Sequence, residues 1–190
     1  MMRKLSVSTL VSLDGVVQDP GGFGETEAGG WAGPYFDEEA GRLAYEHLVA
    51  CDMFLMGRET YELFKQYWPQ VQEGDYAARI NDMPKLVAST SLQAPLEWNA
   101  TLIEGDVAEA IAEIKQEDGG EILVYGSPTL MRTLAAHDLV DEYKVKVHPI
   151  VLGSGKRLFA DGFAPTSLEL VDTKALSTGV VILTYRPVRP

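Results

Sequence analysis

Met53-Phe54-Leu55-Met56-Gly57-Arg58-Glu59-Thr60-Tyr61 is the stretch on which the fold turns. Its short apolar run from Met53 to Met56 is the mark of a strand covered on both faces, as in a parallel sheet, and Gly57 ends that run before a helix. The unit is strand, tight turn, helix. Upstream, Asp37 can cap a helix with Glu38 and Glu39 in its first turn, where Ala40, Leu43, Ala44 and His47 share one face and the end lies near Cys51. Downstream the same unit recurs. Ile122 to Tyr125 reads as a buried strand, and Gly126-Ser127-Pro128 supplies a turn glycine, a capping serine and a proline at the first helical position.

The chain opens on a strand, Leu5 to Leu13, in which Leu5, Val7, Thr9, Val11 and Leu13 alternate with Lys4, Ser6, Ser8 and Ser12. Asp14-Gly15 and Asp19-Pro20-Gly21-Gly22 break it, and the glycine-rich stretch through Gly33-Pro34 reads as a long mobile loop, of a kind that is often functional. A polar stretch from Trp68 to Asp82 precedes a strand at Lys85 to Ser89, with another at Thr101 to Glu104. Asp106 caps an amphipathic helix carrying Val107, Ala110, Ile111 and Ile114, stopped by Gly119-Gly120. After Asp141 the pattern becomes antiparallel. Tyr143, Val145 and Val147 alternate with Lys144, Lys146 and His148, and a strand pair at about 167–175 and 180–186 flanks Ser177-Thr178-Gly179. The expectation is one α/β domain over residues 1–190: a mixed, mainly parallel sheet flanked by helices, with antiparallel C-terminal strands.

With 46% hydrophobic and 23% charged residues, 190 residues suffice for one domain with a real core. The formal charge of −12 repels a polyanion at long range, so nucleic acid is not an expected partner. An anionic cofactor is still compatible, because helix N-termini bind phosphate locally. One cysteine, Cys51, cannot form an internal disulfide, and Met1-Met2-Arg3-Lys4 leads into a strand rather than a signal core; both point to the cytoplasm. No apolar run approaches the roughly 20 residues that span a bilayer.

The turns Met56-Gly57-Arg58 and Tyr125-Gly126-Ser127 each join a buried strand's C-terminal end to a helix N-terminus, the edge at which open α/β sheets bind ligands. Two such helix starts suit a pyrophosphate, although any α/β protein needs glycines for tight connections. Gly153-Ser154-Gly155-Lys156 resembles the end of a P-loop, but Ile150 and Arg157 stand where the motif needs glycine and Ser or Thr. His47, His137 and His148 are widely spaced without a cysteine cluster, so no metal is expected and each reads as a surface or boundary residue. Cys51 reads as a small buried hydrophobe.

At this point the residues carry a resemblance. Met56 to Tyr61 is similar to the Gly-Arg-x-Thr segment of dihydrofolate reductases. Val124 to Ser127 through Leu134, Leu139-Val140-Asp141-Glu142, the run His148 to Phe159 and the opening Ser12-Leu13-Asp14-Gly15 resemble, in order, the reductase domain of the riboflavin-biosynthesis deaminase/reductase. The resemblance implies a dihydrofolate-reductase-like fold, NADPH as hydride donor, a small-molecule substrate and commonly a homodimer. By position, Gly57, Arg58 and Thr60 would meet the pyrophosphate, and Ser89 and Thr90 would lie near the adenine ribose and its 2′-phosphate. Gly126, Ser127, Thr129 and Leu130 would close on the phosphates from the other side.

Arg58 is the expected charge reader, since guanidinium pairs well with phosphate. The second turn departs from the family, which usually has two adjacent glycines where Gly126-Ser127 stand. Asp14 is a candidate for orienting a polar ligand or assisting proton transfer, or else a simple Asp-Gly turn. Trp31, Tyr35 and Phe36 could form a flat apolar wall, and Asp37 lies in roughly the helix that carries the pterin-holding carboxylate of dihydrofolate reductases. The implied activity is NADPH-dependent hydride transfer to a small heterocycle, carbonyl or imine, close to reduction of a ribosylaminopyrimidine. A non-catalytic dimeric nucleotide-binding protein and a dihydrofolate reductase are the alternatives.

Overall fold

A computed structural model describes residues 2–189. Eight strands form one sheet: β1 (Leu5–Ser12), β2 (Cys51–Gly57), β3 (Lys85–Ala88), β4 (Ala100–Leu102), β5 (Glu121–Val124), β6 (Glu142–His148), β7 (Leu168–Ala175) and β8 (Val181–Pro187). Their order is β4-β3-β2-β5-β1-β6-β8-β7. All pairs from β4 to β6 are parallel, and β6 to β8 and β8 to β7 are antiparallel. The sheet is thus mixed and mainly parallel, as expected. β6 differs in detail from the sequence expectation: it pairs parallel to β1 and antiparallel only to β8, because strand alternation carries no information about a neighbour's direction.

The helices are α1 (Glu38–Ala50), α2 (Arg58–Tyr67), α3 (Asp75–Asp82), α4 (Val107–Gln116) and α5 (Pro128–Ala136). Three expected caps are in place. Asp37 accepts from the Ala40 amide, Asp106 from those of Ala108 and Glu109, and Ser127 from that of Leu130. The stretch Trp68 to Asp82, read as a polar connection, instead holds a 3-10 turn (Trp68–Gln70) and α3. Its apolar side, with Ala77 and Ile80 buried, is too short for a clear period, and no side chain caps its start.

Two cores lie on opposite sheet faces, as a period of two dictates. Leu5, Val7, Leu55, Ile122, Val124 and Val145 pack with Ile111, Met131 and Leu134 of α4 and α5. Phe54, Met56, Val87 and Leu123 pack with Leu48, Tyr61 and Ile80 on the other side. The polar half of β1 is equally covered: Ser6, Ser8 and Ser12 are each 1% exposed. That polar face is turned inward.

The glycine-rich segment after β1 is organised around one buried carboxylate. Asp19 accepts from the amides of Phe23 (2.5 Å), Glu25 (2.9 Å) and Thr26 (3.1 Å), and a Cβ on Gly29 would stand 2.1 Å from its Oδ2. The segment reads as mobile from composition, but a side chain binding three backbone donors gives it a defined path.

Candidate functional site

Gly57 and Ala88 are paired across β2 and β3, and Leu55 and Val124 across β2 and β5, so the ends of these parallel strands share one edge. There the two glycine turns meet. The Gly57 amide donates to the Gly126 carbonyl at 3.3 Å. A Cβ on Gly57 would lie 2.7 Å from Ser127 Oγ, and one on Gly126 would lie 2.9 Å from Thr60 Oγ1. Gly57 has φ −79°, so glycine serves close approach here and not a left-handed turn.

The two helix starts differ in what they leave free. Ser127 Oγ caps α5 through the Leu130 amide, whereas no side chain caps α2 after Gly57. The first N–H groups of α2 are therefore open donors at a positive dipole end. Arg58, at that end, is held by an exposed ion pair with Glu62 at 2.9 Å. Glu59 would repel an anion, but Lys156 pairs with it at 2.6 Å, and that hydrogen bond holds its carboxyl below the usual range. Uncapped donors, a guanidinium and a neutralised carboxylate fit a phosphate group.

Lys156 arrives on the Gly153–Arg157 loop, which packs on the segment after β1: the Val17 amide donates to the Lys156 carbonyl, and the Leu158 amide to that of Gly15. Asp14 secures this junction. Its carboxylate accepts from Ser12 Oγ (2.7 Å) and the amides of Leu152 (3.1 Å) and Gly153 (2.8 Å), and these bonds, Ser12's first, bring its pKa down to about 2. An acid so held has no proton to give at neutral pH, and the geometry favours the turn reading of Asp14.

Below the edge, on the face carrying α1 and α3, lies a pocket of about 500 Å³. Thr60, Gly126, Ser127 and Pro128 form its rim, and Ser8, Leu10, Tyr125 and Lys146 lie along the sheet side. Phe23, Phe36, Leu63, Phe64, Trp68 and Tyr76 supply apolar walls. The Tyr76 and Tyr125 hydroxyls bond each other at 2.8 Å; burial pushes Tyr76 up to about 12 and raises Tyr125 as well. Lys146 Nζ donates to Ser8 Oγ at 3.0 Å, with its pKa lowered to about 8 by burial and then by Lys144.

Of the sequence candidates, Gly57, Arg58, Thr60, Gly126 and Ser127 converge at this edge. Ser89 follows the end of β3, with its hydroxyl accepting from the Ser91 and Leu92 amides; Thr90 is exposed beside it. Thr129 is exposed on α5, while the Leu130 side chain is buried in the core, leaving its backbone as the part that faces the turn. Phe36 lines the pocket. Trp31 and Tyr35 stack edgewise on His148 at 5.3 and 5.7 Å, and Asp37 caps α1 and accepts from Ser177 Oγ at 3.2 Å, so these three stand outside it.

Ser8, Lys146, Tyr76 and Tyr125 were missed. Strand alternation assigns Ser8 and Lys146 to solvent, and only the pairing of β1 with β6 brings them together.

His148 is buried rather than at the surface or boundary, whereas His47 lies at the boundary with its ring against Ser6 Oγ at 3.3 Å. The fold also gathers ligand atoms of His47, Cys51 and Glu121 within 4.8 Å of one another at the opposite end of the sheet, a juxtaposition that spacing hid because Glu121 is remote in sequence. Its groups have internal partners. The Cys51 thiol, pushed up to about 12 by burial, donates to the His47 carbonyl, and Lys144 lies 3.9 Å from Glu121.

Comparison with known proteins agrees with this architecture. The family model described as the RibD C-terminal domain matches residues 3–182. The uncharacterized protein YyaP of Bacillus subtilis (strain 168) is 30% identical over 187 residues, covering 96% of this chain and 94% of YyaP. A putative riboflavin biosynthesis protein from Shewanella sp. PV-4 superposes with a TM-score of 0.77 at 21% identity, over all of both chains. Dihydrofolate reductase from Enterococcus faecalis, complexed with NADP(H), superposes at 0.62 with 11% identity, again over all of both. At such identities these two structures speak to the fold. Among the described residues no helix is long and apolar enough to cross a membrane.

Proposed function

The chain belongs to the RibD C-terminal domain family, and from that membership we propose that it is an NADPH-dependent reductase acting on a small heterocyclic, carbonyl or imine compound. The observation that carries this reading is the contact of Gly57 with the Gly126-Ser127 turn directly above the apolar pocket. One place for phosphates and one for a planar compound thereby share a rim.

NADPH, when bound, supplies a hydride; the chain supplies binding, alignment and exclusion of water. The free amides of α2, with Arg58, would hold phosphate oxygens, and Ser89 and Thr90 lie at the neighbouring strand end, where the adenine ribose and its 2′-phosphate are proposed. Gly126, Ser127, Thr129 and the Leu130 backbone would border the phosphates from α5. The apolar walls from Phe36, Phe64 and Trp68 strengthen electrostatic interactions inside the pocket by keeping water out. Reduction of a ribosylaminopyrimidine is the nearest named reaction. Association of two copies and a cytoplasmic location belong to the same proposal, and sedimentation of the purified chain tests the first.

Titration with NADPH, followed by cofactor fluorescence and by melting temperature, tests the cofactor. No change in either at millimolar NADPH would overturn the proposal. Binding without turnover across a panel of pyrimidines, pterins and carbonyl compounds would favour a nucleotide-binding protein that keeps the fold without the reaction.

A further inference from the structure

We propose that Lys146 is the proton donor of the pocket, and that the substrate is a planar aromatic or heteroaromatic compound presenting a carbonyl or imine acceptor to its ammonium. This rests on the reductase reading and gives it a substrate class.

An ammonium group has three N–H donors. Lys146 Nζ uses one on Ser8 Oγ, and among the described residues that hydroxyl is its hydrogen-bond partner and no carboxylate pairs with it. Leaving donors unmet in an apolar cavity is costly, and a ligand oxygen or nitrogen relieves that cost. Of the side chains lining the pocket, only Lys146 and Glu73 are charged, and aromatic rings dominate the walls. A flat apolar body with one acceptor matches them.

Among the described residues, the titratable groups on the elements packed around Lys146 are engaged elsewhere, Glu73 apart. On β6, Lys144 is engaged with Glu142 and Glu121, and His148 is turned to Trp31 and Tyr35. From β5 and α3, Tyr125 and Tyr76 are raised by burial and bonded to each other. From α1, His47 faces Ser6 and Glu121. Glu73, before α3, is the remaining ionisable side chain in the lining. Burial and Lys144 bring Lys146 down to about 8, so it is protonated at neutral pH and a stronger acid than an ordinary lysine.

The carbonyl carbon gains a C–H bond from a hydride, which brings its electron pair from the reduced nicotinamide that is oxidised. The C=O π pair passes to oxygen, which takes a proton from Lys146 Nζ as that N–H bond breaks. The product is an alcohol, or an amine from an imine, and solvent reprotonates the lysine.

The test uses 2-naphthoate as an anionic aromatic probe, read by tryptophan fluorescence, since Trp68 lines the pocket. The native chain is expected to bind it and to lose at least tenfold in affinity between pH 7 and pH 9.5. Lys146→Met should bind at least tenfold more weakly at pH 7, with no such pH dependence. Lys146→Arg should retain the probe, because the charge remains, yet lose turnover of 2-naphthaldehyde, because guanidinium is too weak an acid. Equal affinity in the native chain and Lys146→Met, a pH-independent native affinity, or no binding at millimolar probe would each overturn the proposal. A native chain that binds naphthoate but not NADPH would instead overturn the reductase reading and leave the Lys146 contact standing.

Discussion

The Gly57 amide donates to the Gly126 carbonyl at 3.3 Å, so two strand-to-helix turns separated by 69 positions form one surface. Because a Cβ on Gly57 would press on Ser127 Oγ, which caps α5, the two turns are energetically coupled. Gly57→Ala should displace that hydroxyl and cost about 1 kcal/mol, the usual worth of a cap, and weaken NADPH by roughly tenfold. In a Ser127→Gly background the same change should cost less than about 0.5 kcal/mol. Urea denaturation of the four proteins measures the cycle; additive costs would refute the contact.

Arg58 is tied to Glu62 by an exposed pair, which is worth little and is readily exchanged for phosphate. Arg58→Ala should therefore change stability by less than about 0.5 kcal/mol while weakening NADPH and NADH alike, each by roughly tenfold, because both carry the pyrophosphate that Arg58 is proposed to meet. Parallel calorimetric titrations of both cofactors give the comparison. A loss confined to NADPH would move Arg58 from the pyrophosphate to the 2′-phosphate, and no loss for either would remove it from the cofactor site.

Asp19 holds three amides with two carboxylate oxygens. Asp19→Asn replaces one oxygen by a donor facing donors, and about 2 kcal/mol of destabilisation is expected. Phe23 stands in the pocket wall, so the affinity for aromatic ligands should fall as well. An unchanged urea midpoint, with unchanged cleavage of residues 20–33 under limited proteolysis, would remove Asp19 from this role.

The lowered Lys146 pKa fixes a direction for stability. Between about 8 and the ordinary 10.5 the unfolded chain binds more protons than the folded one, so stability rises with pH across that window. Below 8 both forms are charged and the penalty is constant. Lys146→Met removes it, and its melting temperature should exceed the native value most at pH 7, with the gap closing by pH 10.5. Lys85, lowered to about 8 by burial, contributes the same slope to both proteins, so the difference reports Lys146. A methionine variant no more stable at pH 7 would contradict the buried charge.

Much of the scaffold was legible because the determining interactions are local. Apolar runs ending at Gly57 and Gly126, and the caps Asp37, Asp106 and Ser127, act within a few residues of themselves. Helix α3 escaped notice because its two buried residues give too little periodicity. Asp14 illustrates the opposite difficulty. A carboxylate after a strand suits either chemistry or a turn, and Leu152 and Gly153, whose amides favour the turn reading, arrive 138 and 139 positions later.

The sequence by itself determined the alternation of strands and helices, the two helix starts and the family resemblance, since each is written in short-range pattern. Which faces of the strands are covered was decided only by tertiary structure. Ser8 and Lys146 occupy the polar half of their alternation, and nothing local distinguishes solvent from the interior of a pocket. The parallel pairing of β1 with β6 sets Ser8 and Lys146 side by side, and α1 and α3 close over them, turning two apparently surface residues into the polar floor of an otherwise apolar cavity.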